Sequence, residues 1–357
     1  MQILVKKKTA FFMGLFIANL FIAMASSFVL PDKFFYDAKT IVLHEYNETG
    51  ISGSYSAAIL FYKITGLKYL PYFLVALIQY PILIYLLYKI GIPTNFHKIN
   101  VKNVLVYIGF FMIAIFIAMP SKEFITFIYL AIIPFVFHSA RIPSKYKVVI
   151  TLMIVAFFGV FFRSYFLLIP IIAIGMYFIT LIDFQNRALS SVFYGLLIAI
   201  FISLSVGVIK GKYLSESSRD VVNRDRMNSK DANSIIISPI KTDTWYGETV
   251  GIVYGFFAVN IPLEGFKHIF SPQIIAFIIW QILLFYILFV RFSRCLIDRK
   301  KHRYLLWTLL ILFSYFIVQG IFEPDLGTAT RHKIGVFPLI YYALYYEYFR
   351  KELQQNI

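Results

Sequence analysis

The chain has 357 residues, of which 60% are hydrophobic, 19% aromatic and only 15% charged. Soluble domains carry roughly 25% charged residues, so this composition excludes an ordinary soluble protein and predicts a polytopic membrane protein. The net charge of +16 is accompanied by no nucleic-acid-binding motif, and we attribute it to basic loops and contacts with anionic lipid headgroups.

Ten apolar runs are candidates for membrane-spanning helices. They cover residues 9–30, 69–88, 103–119, 124–140, 148–162, 166–182, 189–209, 272–290, 304–321 and 334–346. The fifth and the last are shorter than the roughly 17 residues that a span needs, so the predicted number is nine to eleven. The first run is too long for the roughly 7 to 15 apolar residues of a signal peptide, and we expect a retained anchor. The sequence predicts an all-α protein with about ten transmembrane helices in one domain, residues 1–357.

Basic residues predict the orientation, because Lys and Arg in short loops are retained in the cytoplasm. They occur at residues 6–8, 89–102, 141–147, 187, 291–303 and 350–351, which alternate with less basic segments. This pattern predicts that both termini are cytoplasmic.

Three segments on the opposite, outer face have distinctive patterns. Residues 210–271 form a large periplasmic or extracellular loop, whose hydrophilic part, 210–241, we expect to be either a mobile flap or a solvated loop without chemistry. Residues 52–66 predict an amphipathic surface helix, and the short apolar piece 251–262 predicts a re-entrant or interfacial helix.

Charged residues interrupt apolar sequence at two outer turns. Lys122 and Glu123 follow one run and could form a local ion pair that only ends the span. Arg163 is the stronger candidate, because its phenylalanine and leucine neighbours offer no acid. Its guanidinium requires a partner, either a protein carboxylate or a ligand phosphate.

A third group of charges lies before the last run. Glu323 and Asp325 precede Arg331 and His332 across a short segment. These residues could form a structural salt bridge, or Arg331 could bind a pyrophosphate while a carboxylate or His332 handles a proton.

Four isolated residues are weaker candidates, and several common motifs are absent from the sequence. Asp37, His44, Glu45 and Glu248 are reserve candidates in the outer loops. The chain lacks nucleotide-binding and zinc motifs, and the carboxylate pair at 323–325 is a weak metal signal, so we predict neither a metal nor a cofactor.

In its layout and in these charged residues, the chain resembles the O-antigen and capsule polymerases, the Wzy and EpsG-like group of bacterial polysaccharide polymerases. The resemblance lies in the layout together with Lys122-Glu123, Arg163 in FFRSY, the long outer loop and Arg331 in EPDLGTATRHKIGVFP. It covers the whole chain in outline.

The resemblance implies a GT-C-like glycosyltransferase of the bacterial inner membrane that polymerises undecaprenyl-pyrophosphate-linked oligosaccharides. It implies that Arg163, Arg331 and Lys122 bind the donor pyrophosphate. Glu123, Glu323, Asp325 or His332 would then activate the acceptor hydroxyl, and the four stay unranked. Its implied partners are the lipid-linked oligosaccharide, membrane lipids and a protein that controls chain length.

Two other functions are the alternatives. O-antigen ligases also place arginines and a histidine near the outer face. A flippase or transporter of lipid-linked sugars would instead be expected to show internal repeats and charges near the bilayer centre.

Overall fold

The computed structural model describes residues 6–44, 52–226, 234–268 and 270–355. Within these residues the regular elements are helices, apart from one isolated antiparallel bridge between Ile235 and Asp325. The α-helices are, in chain order, α1 Lys7–Val29, α2 Tyr36–Leu43, α3 Ser54–Ile64, α4 Tyr72–Ile90, α5 Val101–Phe116, α6 Lys122–Leu130, α7 Ile132–His138, α8 Ser144–Phe161, α9 Leu168–Ile179, α10 Arg187–Lys210, α11 Leu214–Ser217, α12 Arg219–Arg226, α13 Trp245–Asn260, α14 Pro272–Cys295, α15 Arg303–Phe322, α16 Leu326–Gly335 and α17 Phe337–Gln355.

Among the described residues, six helices are long and apolar enough to cross a membrane. They are Lys7–Val29, Tyr72–Ile90, Ser144–Phe161, Arg187–Lys210, Ile274–Cys295 and Arg303–Phe322. Two shorter apolar helices, Val101–Phe116 and Ser164–Ile179, coincide with further predicted runs. The protein is therefore a helical, multi-pass membrane protein.

Two of the predicted runs are each divided by a proline. The 124–140 run forms α6 and α7, which separate at Ala131, and the last run is divided between α16 and α17 at Val336. A proline ring clashes with the carbonyl of the fourth residue before it and has no N–H to donate. Pro134 and Pro338 impose this clash at Leu130 and Ile334, which accounts for both breaks.

The described helices belong to two compact units. Unit 1 comprises Met1–Ile154, Val160–Arg163 and Arg331–Ile357, and unit 2 comprises Val155–Gly159 and Ser164–Thr330.

In unit 1, α1 packs along α4 and α5, and α17 packs against α4, α5, α6 and α7. The side chain of Phe12 on α1 is buried and contacts the rings of Phe96 and Phe110. The predicted amphipathic helix at 52–66 is present as α3, which packs against α2 and α6. This packing brings three short helices of unit 1 together.

In unit 2, α15 is the central helix. It is buried over 94% of its apolar window, and α9 and α13 pack against it. An apolar helix enclosed on all sides belongs to the interior of a bundle. The predicted short helix at 251–262 is part of the longer α13.

Part of the hydrophilic segment 210–241 is packed into unit 2. Its residues 227–233 lie outside the described residues. Arg219 on α12 is 0% exposed, and its Nη1 donates to the carbonyls of Gly251 at 3.1 Å and Gly320 at 2.9 Å. At Arg219 the segment is therefore buried, because the guanidinium bonds backbone carbonyls of two helices in unit 2.

Candidate functional site

The first turn of α6 fixes the positions of Lys122 and Glu123, the two charged residues that interrupt the apolar sequence. Ser121 caps the helix, since its hydroxyl accepts the N–H of Phe124 at 3.2 Å. The Ser121 N–H in turn donates to the hydroxyl of buried Tyr62 at 3.0 Å. These bonds hold Lys122 and Glu123 at the helix N-terminus, where a carboxylate is favoured by the helix dipole.

Arg163 follows the end of α8 and reaches the same carboxylate. Its Nη2 donates to Glu123 Oε1 at 2.6 Å, and the two side chains are 4% and 0% exposed. The end of α8 is also bonded to the segment before α3, because the Phe161 carbonyl accepts the N–H of Gly53. Of the two partners expected for Arg163, the structure supplies the protein carboxylate.

Helix α16 contributes Arg331 and His332. Arg331 Nη2 lies 3.0 Å from Asp37 Oδ2, and its Nε lies 3.9 Å from Glu123 Oε2. His332 Nε2 lies 3.1 Å from Glu123 Oε1. Arg331 therefore bridges two carboxylates, and His332 stands beside the more deeply buried one.

Lys122 turns away from its neighbour Glu123 towards α2 and α3. Its Nζ lies 3.5 Å from Asp37 Oδ2 and 3.6 Å from the ring centroid of Tyr55, a cation–π contact. The Tyr55 hydroxyl donates to Asp37 Oδ1 at 2.9 Å. The alternative of a local Lys122–Glu123 pair is therefore replaced by contacts to two other helices.

These contacts join residues that are distant in sequence but belong to unit 1. We call them the charged cluster: Asp37, Tyr55, Lys122, Glu123, Arg163, Arg331 and His332. Among these joined residues, three basic side chains face two carboxylates. With all three protonated the cluster carries one positive charge in excess, and a protonated His332 would add another.

The cations of the cluster act on the Asp37 carboxyl, which lies outside the six spans. Burial alone would raise the pKa of Asp37, but Arg331 and then Lys122 outweigh it, so its pKa is below the ordinary value of 3.8. Burial lowers the pKa of the Lys122 ammonium, although Asp37 and Glu123 oppose this effect. Asp37 is therefore an anion that neutralises the two basic groups beside it.

The Glu123 carboxyl is stabilised as an anion more strongly than the Asp37 carboxyl. Burial would raise the pKa of its carboxyl, but Arg331, Arg163 and His332 together hold that pKa well below 4.5. A carboxylate so stabilised is a weak proton acceptor. Glu123 is thus suited to orienting its basic neighbours, whereas the imidazole of His332 is a side chain that can accept a proton.

The two remaining predicted acids belong to unit 2 and have local partners. Asp325 accepts the Thr328 N–H on one oxygen and the Thr328 hydroxyl on the other, both at 2.8 Å, in the first turn of α16. Glu323 is buried and accepts the side-chain amide of Gln319 at 3.3 Å. Arg331 forms ion pairs with Asp37 and Glu123, which are distant from it in sequence.

The reserve candidates have different positions. Asp37 belongs to the charged cluster, and His44 lies 3.4 Å from the Lys68 ammonium. Glu248 is buried in unit 2, where it accepts the hydroxyl of Ser203 at 2.5 Å. Glu45 lies outside the described residues.

Sequence reasoning missed Tyr55 and ranked Asp37 low. Asp37 is distant from Arg331 in sequence, whereas Glu323 and Asp325 are much nearer to it. A buried cation needs a counter-charge, but a charge count does not show which acid supplies it.

Comparison with known proteins gives no relative for this chain. No protein-family model, curated protein or solved structure matches it.

Proposed function

We propose that the protein is a glycosyltransferase that polymerises undecaprenyl-pyrophosphate-linked oligosaccharide units into O-antigen, capsular or other surface polysaccharide. The observation that carries the proposal is the charged cluster, in which three basic side chains surround two carboxylates beside a histidine. A surplus of buried positive charge is suited to a phosphate-bearing substrate. In this proposal the chain has about ten spans and a GT-C-like architecture. It lies in a bacterial inner membrane with both termini in the cytoplasm.

The proposed reaction transfers a glycosyl group from a lipid pyrophosphate to a sugar hydroxyl. The anomeric C–O bond to pyrophosphate breaks, and its electron pair remains on the leaving oxygen. Arg331 and Lys122, the more accessible cations of the cluster, bind the leaving group, while Arg163 acts behind Glu123. Fixed cations in a site shielded from water stabilise the developing charge by about 2.7 to 4 kcal/mol for each donor.

His332 is the residue that we propose as general base. It takes the proton of the acceptor hydroxyl as that oxygen bonds to the anomeric carbon. Glu123, 3.1 Å from its Nε2, orients the ring and stabilises the imidazolium that forms. Asp325, whose two oxygens both accept hydrogen bonds from Thr328, and Glu323, whose Oε1 accepts the Gln319 amide, are ranked below it.

The test is the ladder of surface polysaccharide from cells in which the gene is deleted and then restored as variants. We expect deletion, Arg163→Ala and Arg331→Ala to reduce the ladder to single repeat units, with the variant proteins still accumulating in the membrane. Conversion of Arg331 to lysine should restore little polymer, because an ammonium does not reproduce bidentate phosphate contact. Arg163→Lys should restore more, because an ammonium can still pair with Glu123. Arg187→Ala is the matched control, since it removes the exposed pair with Asp183.

The other outcomes identify the alternatives. Loss of all attached sugar, single units included, would indicate an O-antigen ligase or a flippase of lipid-linked sugars. Ligase is the second candidate, because the Arg331–His332 pair beside Glu123 also fits the residues that ligases place near the outer face. Normal ladders from both alanine variants would refute pyrophosphate binding by the cluster.

A further inference from the structure

Asp37 divides its two oxygens between different kinds of partner. Oδ2 faces both accessible cations, Arg331 at 3.0 Å and Lys122 at 3.5 Å. Oδ1 instead accepts the Tyr55 hydroxyl at 2.9 Å. The contacts of Oδ2 to the cations can therefore be lost while Oδ1 keeps its hydrogen bond to Tyr55.

The two carboxylates of the cluster differ in how easily they can be replaced. The Glu123 side chain is 0% exposed, and Arg163 donates to it at 2.6 Å. The Asp37 side chain is 12% exposed and sits on α2, a helix of eight residues. Asp37 is the carboxylate that an incoming anion reaches first.

The charges of the cluster indicate how many negative charges a competing anion needs. Without Asp37, the three protonated basic groups would face Glu123 alone, leaving two positive charges to balance. A monoanion would only replace the charge that Asp37 already supplies. A group with two or more negative charges gains additional attraction to the same cations.

We propose that Asp37 is a specificity-determining residue: its carboxylate competes for Lys122 and Arg331, so that a phosphate group with at least two negative charges displaces it and a monoanion does not. The proposal rests on the proposed function, because it concerns the phosphate site of the same cluster. Tyr55 retains the displaced carboxylate through Oδ1.

The experiment measures calorimetric binding of inorganic pyrophosphate and of dimethyl phosphate, a monoanion. The full chain is used in nanodiscs of uncharged lipid at low ionic strength, as wild type, Asp37→Asn, Asp32→Asn and Arg331→Ala. Asp32→Asn is the matched control, because it removes a charge from the same outer segment, where Asp32 pairs with Lys39 and is 81% exposed. The Asn variants keep the side-chain shape, and size-exclusion chromatography checks that each protein is monodisperse.

We expect wild type to bind pyrophosphate saturably and dimethyl phosphate poorly, and Arg331→Ala to bind neither. Asp37→Asn should bind pyrophosphate about tenfold tighter than wild type, the factor that corresponds to losing one competing charged contact. It should also gain measurable affinity for dimethyl phosphate. Asp32→Asn should stay within about twofold of wild type, because its surface pair is screened.

Two results would overturn the role of Asp37 while leaving the phosphate site intact. One is an Asp37→Asn affinity equal to that of Asp32→Asn, and the other is weaker binding, which would make Asp37 a residue that builds the site. A different result would refute the phosphate site itself. This is the absence of pyrophosphate binding in both wild type and Asp37→Asn, or binding that Arg331→Ala leaves unchanged.

Discussion

At the residue scale, Glu123 is the carboxylate on which the cluster depends. A fully buried carboxylate is stable only when paired, and Glu123 has Arg163, Arg331 and His332 within 4 Å. Removing its charge would leave buried cations without their partner. The contribution of the Glu123 charge to the free energy of unfolding should therefore be large and should depend on pH.

We expect Glu123→Gln to destabilise the protein by roughly 3 to 5 kcal/mol at pH 7, the cost of breaking a buried ion pair. The pKa of Glu123 in the folded protein is well below 4.5, the value expected for the unfolded chain. At a pH between the folded and unfolded pKa values, the unfolded state therefore binds more protons. Its contribution is then complete above about pH 4.5 and is lost as the pH falls through the folded pKa. Thermal unfolding followed by intrinsic fluorescence at pH 7 and in acid measures this difference.

The control for Glu123 is Asp183→Asn, which removes the exposed pair with Arg187. Surface pairs contribute about 0 to 1 kcal/mol, so this variant should unfold close to wild type. A Glu123→Gln protein that unfolds like the control at pH 7 would contradict the stabilising role.

At the element scale, two helices of unit 2 cross at close range. The backbones of α13 and α15 approach at Gly255 and Gly320. A Cβ added at Gly255 would lie 2.0 Å from the Gly320 oxygen and 2.4 Å from Arg219 Nη1. Glycine is required there, because any side chain would separate the helices and disturb the Arg219 hydrogen bonds.

Gly255→Ala should therefore destabilise unit 2 by about 1 to 3 kcal/mol, the usual cost of overpacking, with more lost if Arg219 is displaced. Gly14→Ala on α1 is the matched control, since a Cβ there meets nothing within 4 Å. Alanine in a helix is favoured over glycine by about 1 kcal/mol, so this control should be neutral or stabilising. Equal melting temperatures for the two variants in the same detergent would exclude the tight crossing.

At the scale of the whole molecule, the sequence predicts the helical membrane architecture better than it predicts the contacts. Long apolar runs identify all six candidate spans, and isolated charges identify Lys122, Glu123 and Arg163. Pairing is harder to predict, because sequence proximity suggests Glu323 or Asp325 for Arg331. The partner found is Asp37, near the other end of the chain. Helix geometry and long-range packing decide such pairs, and neither is visible in a local pattern.

The basic loops predict the orientation of the whole chain in the membrane. Lys98 and Lys300 lie in basic loops, so we expect them inside, whereas Asp32 and Lys241 should be outside. All four residues are exposed, and the single Cys295 is buried. In a Cys295→Ser background, cysteines at positions 32 and 241 should react with an impermeant maleimide in intact cells. Cysteines at 98 and 300 should react only after permeabilisation, and the reverse pattern would place the basic loops outside.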